Sequence, residues 1–417
     1  VIDPIAPRSP RLSVPAVEPT TAGVIDHPEV VDHTGFPEQL RPAPMSKPMS
    51  MEAGSSTVGV EEEFFLTDPE TGAPVAKNVE VAGTAEQAGI NLYPELIRCQ
   101  IEANTRVHSS SSHLLTELCE LRRTIASCAE KNGARLLAVA VPPTVSDDIP
   151  ITATPRNRRI VENYGRPAHE QQVCGCHVHI GVPDRDAAIR ASNFLRPWLP
   201  LFLALTANSA LYHGAETGYR SWRRILWGRW PSAGPPPYFD SAADYDAMVA
   251  MMLSHGIILD RKMVYWDVRP SVRYPTVEIR ISDIPATAQE TALLATLIRA
   301  TVLTARTAPV QKRPPAKIFD ELLRLAYWKA ARDGIAGELV DPTNGRKIPG
   351  RIWLAELIAR IRPALEELGD YRFVAETVDA VLARGNGATR QLRTYHTHHD
   401  IQDVIAELSD ATLQGCG

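Results

Sequence analysis

A chain of 417 residues, 44% hydrophobic and 22% charged, has ample material for a globular core of one large domain or two. Its net charge of −5 argues against a general affinity for nucleic acid. The longest apolar stretch, Trp198 to Leu205, is interrupted by Pro200 and is too short to cross a bilayer, and no N-terminal secretory pattern is present. Six cysteines (Cys99, Cys119, Cys128, Cys174, Cys176, Cys416) are too sparse for a disulfide framework and read as reduced thiols of a cytoplasmic protein.

Taken in order, residues 1–53 hold ten of the 34 prolines and show neither helical nor strand period, which predicts a disordered extension ahead of a catalytic body over 54–417. Gly59 to Thr67 is a β-favouring run carrying three successive carboxylates. On a strand, Glu61 and Glu63 share one face and Glu62 takes the other. Glycine and alanine up to Gly89 predict loops or weak strands, and a second strand is expected over 96–102. A helix follows with Ser111 or Ser112 as its cap and Asn132-Gly133 as its stop. Further strands are expected over 135–141 and 173–182, then a helix opened by Asp184 or Asp186 that continues towards Asn208. A Trp/Arg/Gly/Pro-rich loop covers 214–237, and a short helix 241–255. Strands over 264–269 and 276–282 read as a hairpin. From Ala288 onward the pattern is helical: 288–306, 316–333, 351–368, 371–384 and 398–413. Strands early and helices late predict an α+β fold, a mostly antiparallel sheet flanked by helices with a helical last third. Neither a Walker loop nor a dinucleotide-binding glycine motif is present.

Four strands repeat one pattern, an apolar face backed by a charged one. Their polar faces carry Glu61 and Glu63, then Gln100 and Glu102, then His177 and His179, then Glu278, Arg280 and Ser282. Each alone suits a solvated sheet face. Together they predict one polar floor whose carboxylates and imidazole suit Mg²⁺ or Mn²⁺. Cys174 and Cys176 read as packing thiols. The tract His396, His398 and His399 reads as a solvated loop or helix cap and not a metal site.

The motifs G-V-E-E-E-F, I-E-A-N-T, C-G-C-H-V-H-I-G and T-V-E-I-R-I-S-D, in that order, resemble the glutamate–cysteine ligase superfamily, in its bacterial carboxylate–amine ligase branch. The loop around Ser221-Trp222-Arg223 resembles the same branch. The resemblance implies a glutamine-synthetase-like catalytic sheet, ATP as substrate, and Mg²⁺ or Mn²⁺ on Glu61, Glu63, Glu102, His177 and Glu278. It further implies Arg280, with Glu278 a catalytic candidate, at the transferred phosphoryl of ATP, and Arg223 on the substrate carboxylate. His179 and Arg166 are carried as further substrate-binding candidates; for His179 a metal or supporting role is equally open. The implied reaction joins an acid to an amine through an acyl phosphate, releasing ADP and phosphate. The partners are small molecules or an amino acid on a carrier peptide or protein, without nucleic acid or membrane; a homodimer is open. Two alternatives stand beside this: a divalent-metal phosphohydrolase using the same floor, and a nucleic-acid binder using Arg220, Arg223, Arg224 and Arg229 between Trp222, Trp227 and Trp230.

Overall fold

The computed structural model describes residues 56–145, 149–307 and 318–416; the predicted extension 1–53 lies outside them. The first strand, β1 (Val58–Thr67), is the axis of the fold. Val58, Val60, Phe64 and Leu66 are buried on one side, as the two-residue period requires. After it comes a helix, α1 (Asn78–Gln87), where loops or weak strands were expected. Its apolar signal is weak, and Val81 and Ala85 are its only buried apolar residues. The buried Asn78 amide pins it by donating to the carbonyls of Ile97 and Gln100. That is a tertiary contact, invisible to periodicity.

Strands β2 (Leu92–Pro94) and β3 (Gln100–Asn104) follow, so the second predicted strand starts later than expected. Helix α2 (Ser111–Lys131) takes Ser110 as its cap position, just ahead of the expected serines. Strand β4 (Arg135–Leu137) is shorter than its apolar run. Two unexpected helices come next, α3 (Pro155–Tyr164) and the short α4 (Arg166–His169). Thr154 caps α3 and Pro155 opens it, a start signal overlooked because the helix is mostly polar. Strand β5 (Gly175–Gly181) leads to α5 (Arg185–Leu195), capped by Asp184. A 3₁₀ turn containing Pro197 separates α5 from α6 (Leu199–Thr206), so the single helix expected there is broken at a proline.

The predicted 214–237 loop contains β7 (Ala215–Glu216), which pairs with β6 (Leu211–Tyr212), and a helix, α7 (Trp222–Trp227). Helix α8 (Ala242–Ser254) precedes the expected hairpin, β8 (Val268–Pro270) and β9 (Thr276–Asp283). The helical last third comprises α9 (Ala288–Thr307), α10 (Asp320–Asp333), α11 (Gly350–Glu367), α12 (Tyr371–Arg384), α13 (Gly387–His398) and α14 (Ile401–Leu413). Between α10 and α11 sits an unpredicted hairpin, β10 (Glu338–Val340) with β11 (Lys347–Pro349). Helix α13 was also missed; His396 and His398 lie exposed at its end, against Glu216 and Asp403.

The main sheet runs β2-β3-β1-β5-β9-β8, with β4 on β1 beyond the end of β5, and every pair is antiparallel. The fold is α+β as the element order predicts. One face, with Val60, Val178, Ile180, Val277 and Ile279, packs into a core shared with α2, α5, α6 and α9. That core leaves the other face of the same strands free to carry charge. The thiol reading holds for Cys99, Cys128, Cys174 and Cys176, which are free and buried. It fails for Cys119 and Cys416, which form a disulfide across 297 residues of chain. Sequence spacing cannot reveal such a pair, because it is made by α2 meeting the segment after α14.

Candidate active site

Strand register assembles the floor. Glu63 stands opposite Glu102, and Glu61 opposite both Asn104 on β3 and His177 on β5. His179 stands opposite Glu278 on β9, and Arg269 on β8 opposite Glu278. The predicted cluster Glu61, Glu63, Glu102, His177 and Glu278 is thus brought onto one face, with His179 and Arg280 among it. The β5–β9 register slips between Cys176 and Val178, so Ser282 lies opposite Cys176 and out of line with Glu278 and Arg280. A bulge of this kind re-aims a side chain, here beside Arg280.

Three overlapping groups of ligand atoms, each within 4.8 Å of one another, follow across the floor: Glu63, Glu95 and Glu102; Glu61, Glu102 and His177; Glu61, His179 and Glu278. Glu95, from the turn after β2, was missed by sequence reading because it belongs to none of the alternating strands. Its only signal is a carboxylate set among Leu92, Tyr93, Leu96 and Ile97. His177 Nδ1 lies 2.9 Å from Glu61 Oε2, and His179 Nδ1 lies 2.9 Å from Thr276 Oγ1. His179 Nε2 is buried 3.3 Å from Glu61 Oε1 without a hydrogen bond between them.

The electrostatics of the floor change along its length. At the Glu95 end, burial and the charge on Glu63 raise the Glu95 carboxyl to about 7. Burial, with Glu61, Glu95 and Glu63 alongside, also holds Glu102 well above the ordinary range. Burial would raise Glu61 as well, but its contacts with His177 and His179 hold it far below. Burial, joined by the Arg280 charge, lowers the His177 imidazole, keeping it neutral and able to offer a lone pair. For His179, burial is outweighed by Glu61 and Glu278, which raise it.

At the other end, burial of Glu278 is overcome by Arg269 and Arg280, and its carboxyl falls well below the usual range. Arg269 contacts both Glu278 oxygens at 3.0 Å, and Arg280 Nη1 donates to the same carboxylate. Arg280 Nη1 also lies 3.3 Å from His177 Nδ1. Half-buried carboxylates crowded at one end, with an imidazole between, are a donor set of the kind divalent cations take. The residues present therefore fit Mg²⁺ or Mn²⁺.

Arg223, on α7, is buried at the Gly175 end of β5. Its Nη1 donates to the Ile281 carbonyl at 3.3 Å, and its guanidinium faces Trp227 at 5.7 Å. A Cβ on Gly175 would collide with that guanidinium, so the close approach requires glycine there. The Gly175 N–H donates to Glu63 Oε2 at 2.6 Å, which ties this corner to the floor. Asp267, like Arg269 of β8, was also overlooked. It is buried, its carbonyl accepts the Arg280 N–H at 2.8 Å, and its Oδ2 has no hydrogen-bond partner. Burial raises its carboxyl against the charges of Arg224, Arg223 and Arg280. Arg166 is not brought to the floor. Its side chain is 82% exposed on α4 and pairs with Glu170 four residues on. Trp227 and Trp230 pack with Tyr265 in a buried aromatic group, which removes those two rings from the stacking surface that the nucleic-acid alternative needs.

Residues 57–407 match the model of glutamate–cysteine ligase family 2. The chain belongs to that family. A relative from Nocardia farcinica, provisionally named a glutamate–cysteine ligase 2, is 61% identical over 360 residues, covering 86% of this chain and 94% of its own. One from Mycolicibacterium vanbaalenii with a name of the same kind is 54% identical over 358 residues, 86% of this chain and 98% of its own. Among solved structures, a glutamate–cysteine ligase from Francisella tularensis, in complex with AMP, shares the fold with a TM-score of 0.63 at 13% identity, over 87% of this chain and 90% of that one. A bifunctional glutathione synthetase from Pasteurella multocida also gives 0.63 at 14% identity, over 87% of this chain and 53% of that longer one. The family member described here is an ATP-dependent ligase that forms a carbon–nitrogen bond. No helix among its described residues is long and apolar enough to span a membrane.

Proposed function

We propose that this ligase activates a carboxylic acid as an acyl phosphate and passes the acyl group to an amine, with glutamate and cysteine the leading pair. The observation that carries this reading is Arg280 beside Glu278 and His177 at the cationic end of a carboxylate floor. Glu61, Glu63, Glu95, Glu102, His177 and Glu278 would hold divalent cations, with His179 in support. Cations held there would neutralise an ATP triphosphate of about four negative charges.

Arg280 meets the γ-phosphoryl, where its fixed fork stabilises charge that moves during transfer. Arg223, in its corner near Glu63, receives the acid's carboxylate. An oxygen of the acid attacks the γ-phosphorus and ADP leaves. The amine then attacks the acyl carbon and loses a proton, and phosphate departs carrying one oxygen of the original acid. The aromatic group around Trp227, Trp230 and Tyr265 keeps water from the acyl phosphate. Arg166 keeps no part in this scheme. The catalytic body over 54–417 and a cytoplasmic site of action belong to the same reading, as does a small or carrier-borne amino acid as substrate.

The test is incubation with ATP, Mg²⁺, an amine panel and ¹⁸O-labelled acid. One label should appear in released phosphate, together with ADP and an amide product. Label in AMP would sink the acyl-phosphate route. Phosphate released without any amide would favour the phosphohydrolase.

A further inference from the structure

Glu62 lies between two floor residues yet belongs to the opposite, apolar face, where it is only 2% exposed. A lone carboxylate there would be strongly destabilising. Its counter-ion is Arg122 of α2, which is fully buried. Arg122 Nε and Nη2 reach the two Glu62 oxygens at 3.1 and 2.5 Å, a bidentate fork. Thr291 of α9 donates to the same carboxylate at 2.7 Å. The remaining guanidinium hydrogens are also engaged. Nη1 donates to the carbonyls of Ala286 and Thr412 at 3.0 and 3.2 Å, and Nη2 to that of Pro285 at 3.0 Å. The guanidinium carbon also stands 5.4 Å from the Phe64 ring, the next residue on this face of β1.

One side chain therefore joins β1, the segment leaving β9, the first turns of α9 and the end of α14. β1 carries Glu61 and Glu63; β9 carries Glu278 and Arg280. A one-residue slip of β1 would send Glu62 to the floor and bury Glu61 and Glu63 in the core. After such a slip the floor would hold Glu62 alone, with Val60 or Phe64 in place of the second carboxylate, and the fork on Glu62 opposes it. We propose that Arg122, acting through Glu62, is a positioning residue of the metal floor, fixing the spacing of Glu61 and Glu63 against the β9 ligands. It rests on the reading of that floor as a divalent-metal site.

The experiment is Mn²⁺ binding to the full chain, followed by the electron-spin signal of free Mn²⁺, with thermal melts alongside. Arg122→Lys keeps the charge but loses the fork, and Glu62→Gln keeps the shape but loses the charge. Each should weaken Mn²⁺ binding at least about tenfold in protein that still melts cooperatively, and the double variant should lose no more than the worse single one. Thr291→Val removes one support and leaves the pair, so it covers the case in which Arg122→Lys does not fold; about threefold weakening is expected. Folded variants that bind Mn²⁺ as the parent does would overturn the proposal and leave Arg122 a structural residue only. A parent chain that binds no Mn²⁺ would instead overturn the metal reading beneath it.

Discussion

Arg280 and Glu278 share a strand face, and their ion pair leaves the Arg280 guanidinium beside His177. Replacing Arg280 by methionine should lower kcat by about 10³ with a smaller change in ATP affinity, because the group is needed most where charge is moving. Steady-state kinetics with ATP and acid varied separately will show it; an equal loss in ATP binding would make Arg280 a ground-state contact. Gly175 supplies a second residue-scale expectation. Gly175→Ala places a methyl where the Arg223 guanidinium lies, and Arg223 is walled by Trp227 and the Ile281 carbonyl. We expect kcat/KM for the acid to fall about 10²-fold with the KM for ATP little changed. Unchanged acid kinetics would remove Arg223 from the acid's carboxylate.

At the scale of elements, buried charge clasps helices of the last third to one another. Glu290 on α9 accepts Arg390 of α13 at 2.8 Å and Arg384 of α12 at 3.2 Å. Burial opposes the charge of Glu290, but Arg390 and Arg384 prevail and its carboxyl is lowered. A lowered carboxyl stabilises the fold fully above its unfolded value near 4.5, and that contribution fades as pH falls through the folded value. Glu290→Gln should cost about 3 kcal/mol at pH 7 and flatten the loss of stability in acid, measured by urea melts from pH 7 to 3. Parallel acid profiles for parent and variant would show that this pair is not the sensitive one. The Cys119–Cys416 bond joins α2 to the segment after α14. Cys416→Ser should lower stability by about 2–4 kcal/mol, and added reductant should do the same to the parent but not to the variant. The same reductant series, with thiol counting on protein taken directly from cells, tests the cytoplasmic placement.

For the whole molecule, the sequence predicts that residues 1–53 contribute nothing to catalysis, since a stretch with ten prolines, few aromatics and neither helical nor strand period cannot build a core. A chain starting at Gly54 should turn over ATP within about twofold of the full chain; a larger loss would give the segment a role in delivering substrate or completing the body. What was legible without coordinates was whatever alternation carries. Glu61, Glu63, Glu102, His177, His179, Glu278 and Arg280 fall on one face because side chains on a strand point to opposite sides by turns. The same rule sent Glu62 to the other face. Glu95 escaped because it reaches the floor from a turn, where no period exists to be read; Asp267 and Arg269 do alternate with Trp266 and Val268, but only the pairing of β8 with β9 shows that their face belongs to the floor. Arg122 could not be paired with Glu62 because the two are separated by 60 residues and meet only when α2 packs behind β1. The disulfide is hidden for the same reason, and α1 because one buried amide, not an apolar stripe, anchors it. Local chemistry thus determined which residues could form the floor. Long-range packing decided which further groups complete it, because contacts between distant segments leave no periodic trace in either segment alone.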